Sequence, residues 1–186
     1  MDEIRETIYD TLTLEPAVDP SGTQQFFSNV QGKSLIESNL QTNNSLPTAT
    51  SYRIQGMCLD SQNQFPGNSG VIPTVLTRSS LRLTVGEKDY WKGPARFAAG
   101  RLWQNAATAV GATNLEYLHQ QYGEPVVQPI CFKGDHVIEI PPLQLFDVEW
   151  VIGDMTAAEI TRATPAANNP VYFVMSLKGV KRRAVQ

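Results

Sequence analysis

The two histidines of this sequence limit the chemistry it can carry out. His119 and His136 are the whole supply in 186 residues. A catalytic site needs a nucleophile with a base and an orienting group, or a cluster of metal ligands. No Cys-His or Ser-His arrangement has local support, and no dinucleotide-binding or Walker-type glycine loop occurs. We therefore expect a protein that is not an enzyme and that holds no cofactor.

The segment around His136 carries the one pattern that suggests a metal. Residues 134–139 read Gly-Asp-His-Val-Ile-Glu, and cupin-type metalloenzymes hold their metal with a Gly, His-x-His, Glu arrangement. Here Ile138 stands in place of the second histidine. Side chains alternate between the two faces of a strand, so residues three positions apart lie on opposite faces. His136 and Glu139 therefore cannot form a ligand set by themselves. A cupin-like metalloenzyme is thus the least supported interpretation, and we interpret His119 as a solvated or interface residue.

Asp147 and Glu149 form an acidic pair on one face of a predicted strand. Two carboxylates at this spacing are able to hold a cation. The ordinary alternation of a half-buried strand explains them without a ligand. We therefore assign the pair to the wet face of the strand.

Two adjacent aromatic residues, Tyr90 and Trp91, follow a predicted strand in a turn-rich segment. Large aromatics in such positions anchor protein interfaces or stack on sugars. A Trp folded over the end of the domain is an equally good interpretation. The pair is a candidate for interface contact or ligand stacking.

One basic cluster lies near the end of the chain. Its members are Lys178, Lys181, Arg182 and Arg183. They are candidates for contacts to phosphate or lipid headgroups, and they equally fit a solvated terminus.

Composition sets the class of protein. The formal net charge of -3 gives no global field for nucleic acid or an anionic membrane, so any such contact must be local. Cys58 and Cys131 are far apart and form no metal-ligand or disulfide pattern, and we interpret both as buried thiols. No apolar run reaches the ~20 residues of a membrane span, and the N-terminus has no signal-peptide pattern. We expect a single domain made in a cytoplasm.

Apolar residues recur with a period of two, which predicts an all-β protein. Eight candidate strands are separated by segments rich in Pro, Gly, Asn and Ser, and a change of apolar phase predicts a bulge at Gly56. The strands are 24–30, 52–59, 71–77, 81–85, 126–132, 137–140, 146–152 and 171–177. Eight antiparallel strands with long connections predict a jelly-roll β-sandwich.

Helical signals are few. The spacings at 113–116 and 156–159 each match a capping box, so one or two short helices are expected in loops. Ile4, Ile8 and Leu12 recur every four residues, which predicts an amphipathic segment too short to hold a helix alone in water. We predict that this segment orders either as an arm that contacts a neighbour or against the flank of its own domain. The predicted organisation is an N-terminal arm (1–20), a jelly-roll domain (21–178) and a basic tail (179–186).

Several short motifs resemble the single jelly-roll capsid proteins of tailless icosahedral phages. In that family an Asn-Leu and a Leu-Pro pair precede the second strand. The matching residues are Phe26-Phe27, Gly32, Asn39-Leu40, Leu46-Pro47 and Tyr52 to Met57, with later similarity at 81–90 and in Pro142 followed by Phe146 to Val148. The resemblance implies sandwiches that tile a shell, in some lineages around an internal membrane, and it carries over no catalytic residue.

The leading hypothesis from the sequence is therefore a self-assembling capsid subunit of the virion, made in the host cytoplasm. Its expected partners are copies of itself in a pentamer, hexamer or trimer, other capsid proteins, and an internal membrane or genome met through the termini. A vertex (penton) protein and a minor capsid protein are alternatives within the class. A jelly-roll carbohydrate-binding module that stacks sugars on Tyr90 and Trp91 is the alternative outside it.

Overall fold

The computed structural model describes residues 2–63, 71–110, 114–122, 130–165 and 170–183, with side chains described at all of these except 62, 63, 100–110, 114–122 and 135. Eleven strands lie in these ranges: β1 (Asp2–Leu14), β2 (Gly22–Phe26), β3 (Thr50–Asn63), β4 (Ser79–Val85), β5 (Lys88–Pro94), β6 (Ala99–Val110), β7 (Asn114–Tyr122), β8 (Ile130–Cys131), β9 (Ile138–Ile140), β10 (Phe146–Ile152) and β11 (Val171–Arg183). The helices are α1 (Val71–Thr77) and α2 (Ala157–Ala163), and 3-10 turns lie at Ala95–Phe97 and Gly134–His136. Neither described helix has the length and hydropathy needed to cross a bilayer.

The strands form two sheets. The longer sheet runs β1, β11, β3, and the far edge of β3 is covered in turn by β9, β8 and β6, with β7 beyond β6. The shorter sheet runs β2, β10, β4, β5. The described pairings are antiparallel except that of β3 with β6. The predicted all-β sandwich is confirmed, with eleven strands in the described ranges where eight were predicted.

Alternating side chains of both sheets fill the space between them. Every second residue of β10, from Phe146 to Ile152, is buried, as the period-two pattern predicts. The ring of Trp150 in β10 lies 4.7 Å from Phe173 of β11 and 5.9 Å from Phe26 of β2. Each such Phe stabilises the fold by about 1.5–3 kcal/mol when fully buried. The centre of the core therefore lies between the two sheets, where β10 of the shorter sheet packs against β11 of the longer one.

The segment around Ile8 is a strand and not the amphipathic helical segment that its spacing suggested. A spacing of four fits a strand as well as a helix, because four is a multiple of the two-residue repeat. Ile8 is buried and Leu12 packs against the core, whereas Ile4 is exposed. These three residues share one side of β1, and two of them hold it to its own domain.

β1 and β11 pair over their whole lengths. Asp2 stands opposite Arg183, and Leu14 stands opposite Val171. The structure thus places most of the segments predicted as an N-terminal arm and a basic tail side by side in one sheet. Whether they also contact neighbouring subunits stays a prediction.

The predicted irregularity at Gly56 is confirmed. The register between β3 and β11 shifts there, so that Gly179 stands opposite Ile54 and Gln55 is skipped. Gly179 lies so close to β3 that a Cβ atom would be 2.0 Å from the carbonyl oxygen of Arg53. A side chain at this position therefore cannot coexist with the bulge.

The prediction of a strand at Val71–Thr77 is wrong, because this segment is the helix α1. Val71, Ile72, Val75 and Leu76 are its buried residues, and they form one face of a helix. A short apolar run fits a buried strand or a buried helix equally well. The segment packs against α2 and the turn after β5, and these contacts favour the helix.

The prediction of a short helix from the spacing at 113–116 is also wrong. Asn114–Tyr122 is β7, which pairs antiparallel with β6 over nine residues. Thr113, the expected cap, lies outside the described residues. A cap contributes only about 1 kcal/mol, so pairing with a long neighbouring strand overrides it.

The second capping box is confirmed. The side chain of Thr156 accepts from the backbone N–H of Glu159, whose carboxylate accepts in return from the N–H of Thr156 at 2.9 Å. These bonds satisfy donors that the first turn of α2 leaves open.

Two predicted strands differ from their predicted ranges at residues that the structure describes. The strand predicted at 24–30 ends at Phe26 as β2. Of the strand predicted at 126–132, Ile130–Cys131 forms β8, and residues 126–129 lie outside the described ranges. After Phe26 the chain leaves the sheet for the long connection to β3.

Candidate assembly surface

The connection between β2 and β3 is fastened to β1 by a buried carboxylate. Asp10 is fully buried on the same side of β1 as Ile8. Lys33 donates from Nζ to Asp10 Oδ1 and to the carbonyl oxygen of Thr11, both at 2.7 Å. The backbone N–H of Phe27 donates to Asp10 Oδ2, also at 2.7 Å. The carboxylate therefore has a cation and an amide donor to offset its burial.

An asparagine continues this attachment along the open edge of β1. Asn39 accepts from the N–H of Tyr9 at 2.9 Å and donates from Nδ2 to the carbonyl of Thr7 at 2.8 Å. Ser38 donates from Oγ to the carbonyl of Tyr9 at 3.1 Å. Backbone groups that another strand would otherwise pair with are satisfied here. The connection thus covers the middle of this edge.

Two aliphatic side chains project from the connection between these attachments. Leu35 is 79% exposed and Ile36 is 89% exposed. The turn that carries them is closed by Ser34, which donates from its N–H and hydroxyl to the carboxylate of Glu37 at 2.9 and 2.8 Å. These bonds hold the pKa of Glu37 below its ordinary value. We name these two residues the Leu35–Ile36 tip.

The Leu35–Ile36 tip is fixed to β1 as well as closed on itself. The hydroxyl of Tyr9 donates to the carbonyl oxygen of Leu35. The N–H groups of Glu37 and Ser38 donate to the carbonyl of Ser34 at 2.9 and 3.0 Å. Fixed apolar groups lose little conformational entropy when a partner covers them. The tip is therefore an exposed apolar group held in one conformation, and not a loose loop end.

A second pair of exposed aliphatic residues lies in the connection between β9 and β10. Leu143 is 63% exposed and Leu145 is 60% exposed. The N–H of Gly86 in the β4–β5 turn donates to the carbonyl of Leu145 at 2.7 Å, and the N–H of Phe146 donates to the carbonyl of Asn44 at 2.8 Å. Three connections therefore join at one end of the sandwich, and two of them carry exposed aliphatic residues.

A small cavity of about 100 Å³ lies beside the same connection. Ile8, Leu40, Leu46 and Tyr52 are among its lining residues, with Lys181 also at the cavity. The Tyr52 hydroxyl is 2.6 Å from the carbonyl oxygen of Glu6, and burial raises the pKa of this phenol. A space of this size accepts a small aliphatic group.

Tyr90 and Trp91, predicted as an interface or stacking pair, lie on the edge strand β5 and differ in exposure. Tyr90 is exposed, with the Nζ of Lys88 4.8 Å from its ring centre. Trp91 is partly buried against the core, and its ring lies close over Gly93. The register skips Tyr90, because Leu83 pairs with Trp91 and the next residue pairs with Asp89. The structure thus leaves Tyr90 and not Trp91 open to a ligand.

The predicted basic cluster is divided by the pleat of β11. Lys181 points to the side of Glu6 and forms an ion pair with it at 2.9 Å. Arg182 points to the opposite side, where it pairs with Glu3 at 2.7 Å. Lys178 and Arg183 are exposed, Lys178 on the face of Arg182 and Arg183 at the cavity. The four residues therefore form no single patch.

The two acidic residues of β10 lie on the outer face of the shorter sheet. Glu149 accepts from Arg82 at 2.8 Å, and Asp89 lies 3.8 Å from the same guanidinium. Burial, and then the charge of Glu149, raise the pKa of Asp147. Arg82 therefore offsets the negative charge of this face in part.

The histidine-containing segment lies in the turn Gly134–His136, and His136 is exposed. Glu139 is exposed on β9, whereas Ile138 is buried. His119 belongs to β7, and its side chain lies outside the described ones. Among the described side chains, no group of three or more His, Cys, Asp or Glu lies in a metal-binding arrangement.

The two cysteines differ in environment. Cys58 is buried as predicted, and burial raises the pKa of its thiol to about 12, with Asp60 contributing. Cys131 is exposed, so the prediction that it is buried is wrong. Its strand β8 covers only two residues of β3, which leaves it at the surface.

Most residues that build this surface, among them Asp10, Lys33, Leu35 and Ile36, were not singled out from the sequence, whereas Asn39 belongs to one of the motifs quoted above. A signal for the Leu35–Ile36 tip was present, because Ser34 and Glu37 have the same capping-box spacing as the start of α2. Asp10 also carries a signal, since it shares the phase of Ile8 and Leu14 in a strand with a period of two. An acidic residue at an inward-facing position of a strand indicates that a cation or a hydrogen-bond donor lies beside it.

No family model matches this chain, and neither the curated proteins nor the solved structures compared with it give a match.

Proposed function

We propose that this chain is a non-catalytic structural protein of a virion, a capsid subunit that assembles with copies of itself into an icosahedral shell. A major capsid protein is the first choice. A vertex (penton) or minor capsid protein is the alternative within the class. The place of synthesis is then the host cytoplasm, and the partners are copies of this chain and other capsid proteins.

The observation that carries the proposal is the order of the strands. A jelly roll winds two Greek keys into a double sheet, so its first strand pairs with its last. The orders β1-β11-β3-β9 and β2-β10-β4-β5 match this winding if β6, β7 and β8 are an elaboration between the fifth and sixth strands. Jelly rolls occur in viral capsids, lectins and cupins. The residues exposed on the surface must therefore be used to distinguish a capsid subunit from a lectin or a cupin.

The Leu35–Ile36 tip favours assembly among these functions. Adjacent aliphatic residues with this exposure, held by a closed turn, are typical anchors of a protein interface. Leu143 and Leu145 add exposed apolar area in the β9–β10 connection, which is hydrogen-bonded at Asn44 to the connection that carries the tip. A patch that meets a different patch on the next copy builds rings or extended arrays, as a shell requires.

The test compares the wild-type chain with a Leu35→Ser, Ile36→Ser variant by light scattering on a sizing column and by electron microscopy. We expect the wild type to form rings or shells and the variant to remain a monomer with an unchanged melting temperature. The matched control is Val18→Ser, which removes a 54% exposed aliphatic residue from the β1–β2 connection. The control should assemble like the wild type.

Two results would overturn the proposal. One is assembly of the tip variant at the wild-type concentration. The other is a wild type that stays monomeric while binding glycans on an array, with that binding lost in Tyr90→Ala, which would assign the chain to the carbohydrate-binding class. Pentamers alone would indicate a vertex protein, and hexamers, trimers or shells a major capsid protein.

A further inference from the structure

A group of three cations lies on the outer face of the longer sheet. Arg5 of β1 and Arg53 of β3 flank Val180 of β11 in one row of the register. Lys178 lies two residues further along β11. From the spacing of strands and residues, the two arginine Cα atoms are about 10 Å apart and Lys178 is about 7 Å along the strand. We name these three residues the basic face.

The cations of the basic face form no ion pair within the described ranges. None of the ion pairs found among the described residues of this face involves Arg5, Arg53 or Lys178. In the same row the acidic residue Glu139 of β9 stands opposite Arg53. Their neighbour Arg182 is bound by Glu3 at 2.7 Å and lies 4.0 Å from Glu139. The chain as a whole carries a net charge of -3, so this positive surface is local.

The bulge in β3 gives the basic face a groove. An open depression of about 390 Å³ is lined by Arg5, Thr7, Gln55, Lys178 and Gly179, together with Glu6. Gln55 is the residue that the bulge leaves out of register, and its side chain is exposed. The carboxylate of Glu6 is paired with Lys181 at 2.9 Å. Two of the three cations, Arg5 and Lys178, thus line one depression with neutral hydrogen-bonding groups and the paired carboxylate of Glu6.

We infer that the basic face binds the phosphate groups of a nucleic-acid strand, an inference that rests on the proposed function because a shell subunit meets the packaged genome. Guanidinium groups match phosphate oxygens in pairs, and the contact carries no base specificity. Stable binding to a bilayer draws on apolar groups buried among the lipids as well as on cations. The residues lining this groove include no large apolar side chain.

The test measures binding of a fluorescent oligothymidylate by anisotropy over a salt series. Three phosphate contacts predict a slope of about -2 in log affinity against log salt for a single strand. The variant Arg5→Gln, Arg53→Gln, Lys178→Gln should lose at least about tenfold in affinity at low salt and most of this slope. The matched control is Lys88→Gln, Lys92→Gln, Arg96→Gln, which removes three exposed cations from β5 and the turn after it. It should bind within about twofold of the wild type.

Equal losses in both triple variants, wild-type binding by the basic-face variant, or no binding by the wild type would overturn the inference. Binding to vesicles of phosphatidylglycerol and phosphatidylcholine but not to the oligonucleotide would overturn it in favour of a membrane contact. Assembly is measured on the same samples. A basic-face variant that forms normal particles without nucleic acid leaves the proposed function standing, whereas a wild type that binds the oligonucleotide without assembling contradicts only the proposed function.

Discussion

Lys33 reaches from the β2–β3 connection to the buried carboxylate of Asp10, and the two side chains meet at 2.7 Å. The lysine side chain keeps 20% of its surface exposed, whereas the Asp10 side chain is fully buried. The pair therefore links the strand at the edge of the longer sheet to the segment that carries the Leu35–Ile36 tip. The free-energy cost of breaking the pair arises mainly from the carboxylate, because the buried Asp10 would not be hydrated in place of the lysine.

Replacing the lysine is predicted to expose this dependence. Lys33→Ala should lower the free energy of unfolding by about 2–3 kcal/mol, at the low end for a broken buried pair because Lys33 is partly hydrated. Urea unfolding measures the change, with Lys92→Ala, an exposed lysine on β5, as the control expected within about 0.5 kcal/mol of the wild type. An equal effect of both substitutions would show that the pair is not stabilising.

The close approach at the bulge predicts intolerance of a single methyl group. Gly179→Ala should lower stability by about 3 kcal/mol or more, because its Cβ would meet the carbonyl oxygen of Arg53 at 2.0 Å and backbone must move. Gly153→Ala is the control, since its nearest contact, the carbonyl of Arg78, lies at 3.4 Å. Thermal unfolding and soluble yield check the difference. A stable Gly179→Ala protein would contradict the register of β3 against β11.

Glu159 predicts one direction of pH dependence. The N–H of Thr156, then Arg78, which donates at 2.8 Å, lower the pKa of Glu159 to about 2. A lowered pKa contributes stability above the ordinary value of about 4.3 and loses it as the pH falls toward 2. Glu159→Gln should therefore lower the melting temperature at pH 7 and have little effect near pH 2. Glu87→Gln, in the β4–β5 turn, should have little effect at either pH.

Asp147 predicts the opposite direction. Its pKa is raised by burial and by the charge of Glu149, so the stability it contributes is present below the ordinary value and is lost as the pH rises through the raised one. Asp147→Asn should stabilise the protein at pH 7, by up to about 0.5 kcal/mol because the group is partly hydrated, and not at pH 3. The control Asp154→Asn removes an exposed carboxylate from the segment after β10. A loss of stability at pH 7 in Asp147→Asn would refute the assignment.

Elements with one buried and one wet face were predictable from the sequence. In β10 the alternation of Phe146, Val148 and Trp150 with acidic residues follows directly from burial between two sheets. The segment at Val71 had no such contrast, because a run of apolar residues fits either kind of element, and only its packing against α2 selects the helix.

The candidate site was less predictable because its contacts join distant parts of the chain. Asp10 and Lys33 are 23 residues apart, and no local pattern connects them. The exposure of Ile36 follows from docking of its connection on β1, in which Asn39 contacts a residue 32 positions away. The basic face likewise exists only once three strands lie side by side, since Arg5, Arg53 and Lys178 are scattered in the sequence.

The pairing of β1 with β11 sets the timing of folding during synthesis. β1 leaves the ribosome well before its hydrogen-bonding partner β11, because the other nine described strands lie between them in the chain. Pairings between such distant segments form slowly, and an unpaired strand edge invites aggregation in the meantime. The contact of Asp10 with Lys33 needs only the segment that joins β1 to Lys33, so β1 can be sheltered by its own connection until β11 is translated.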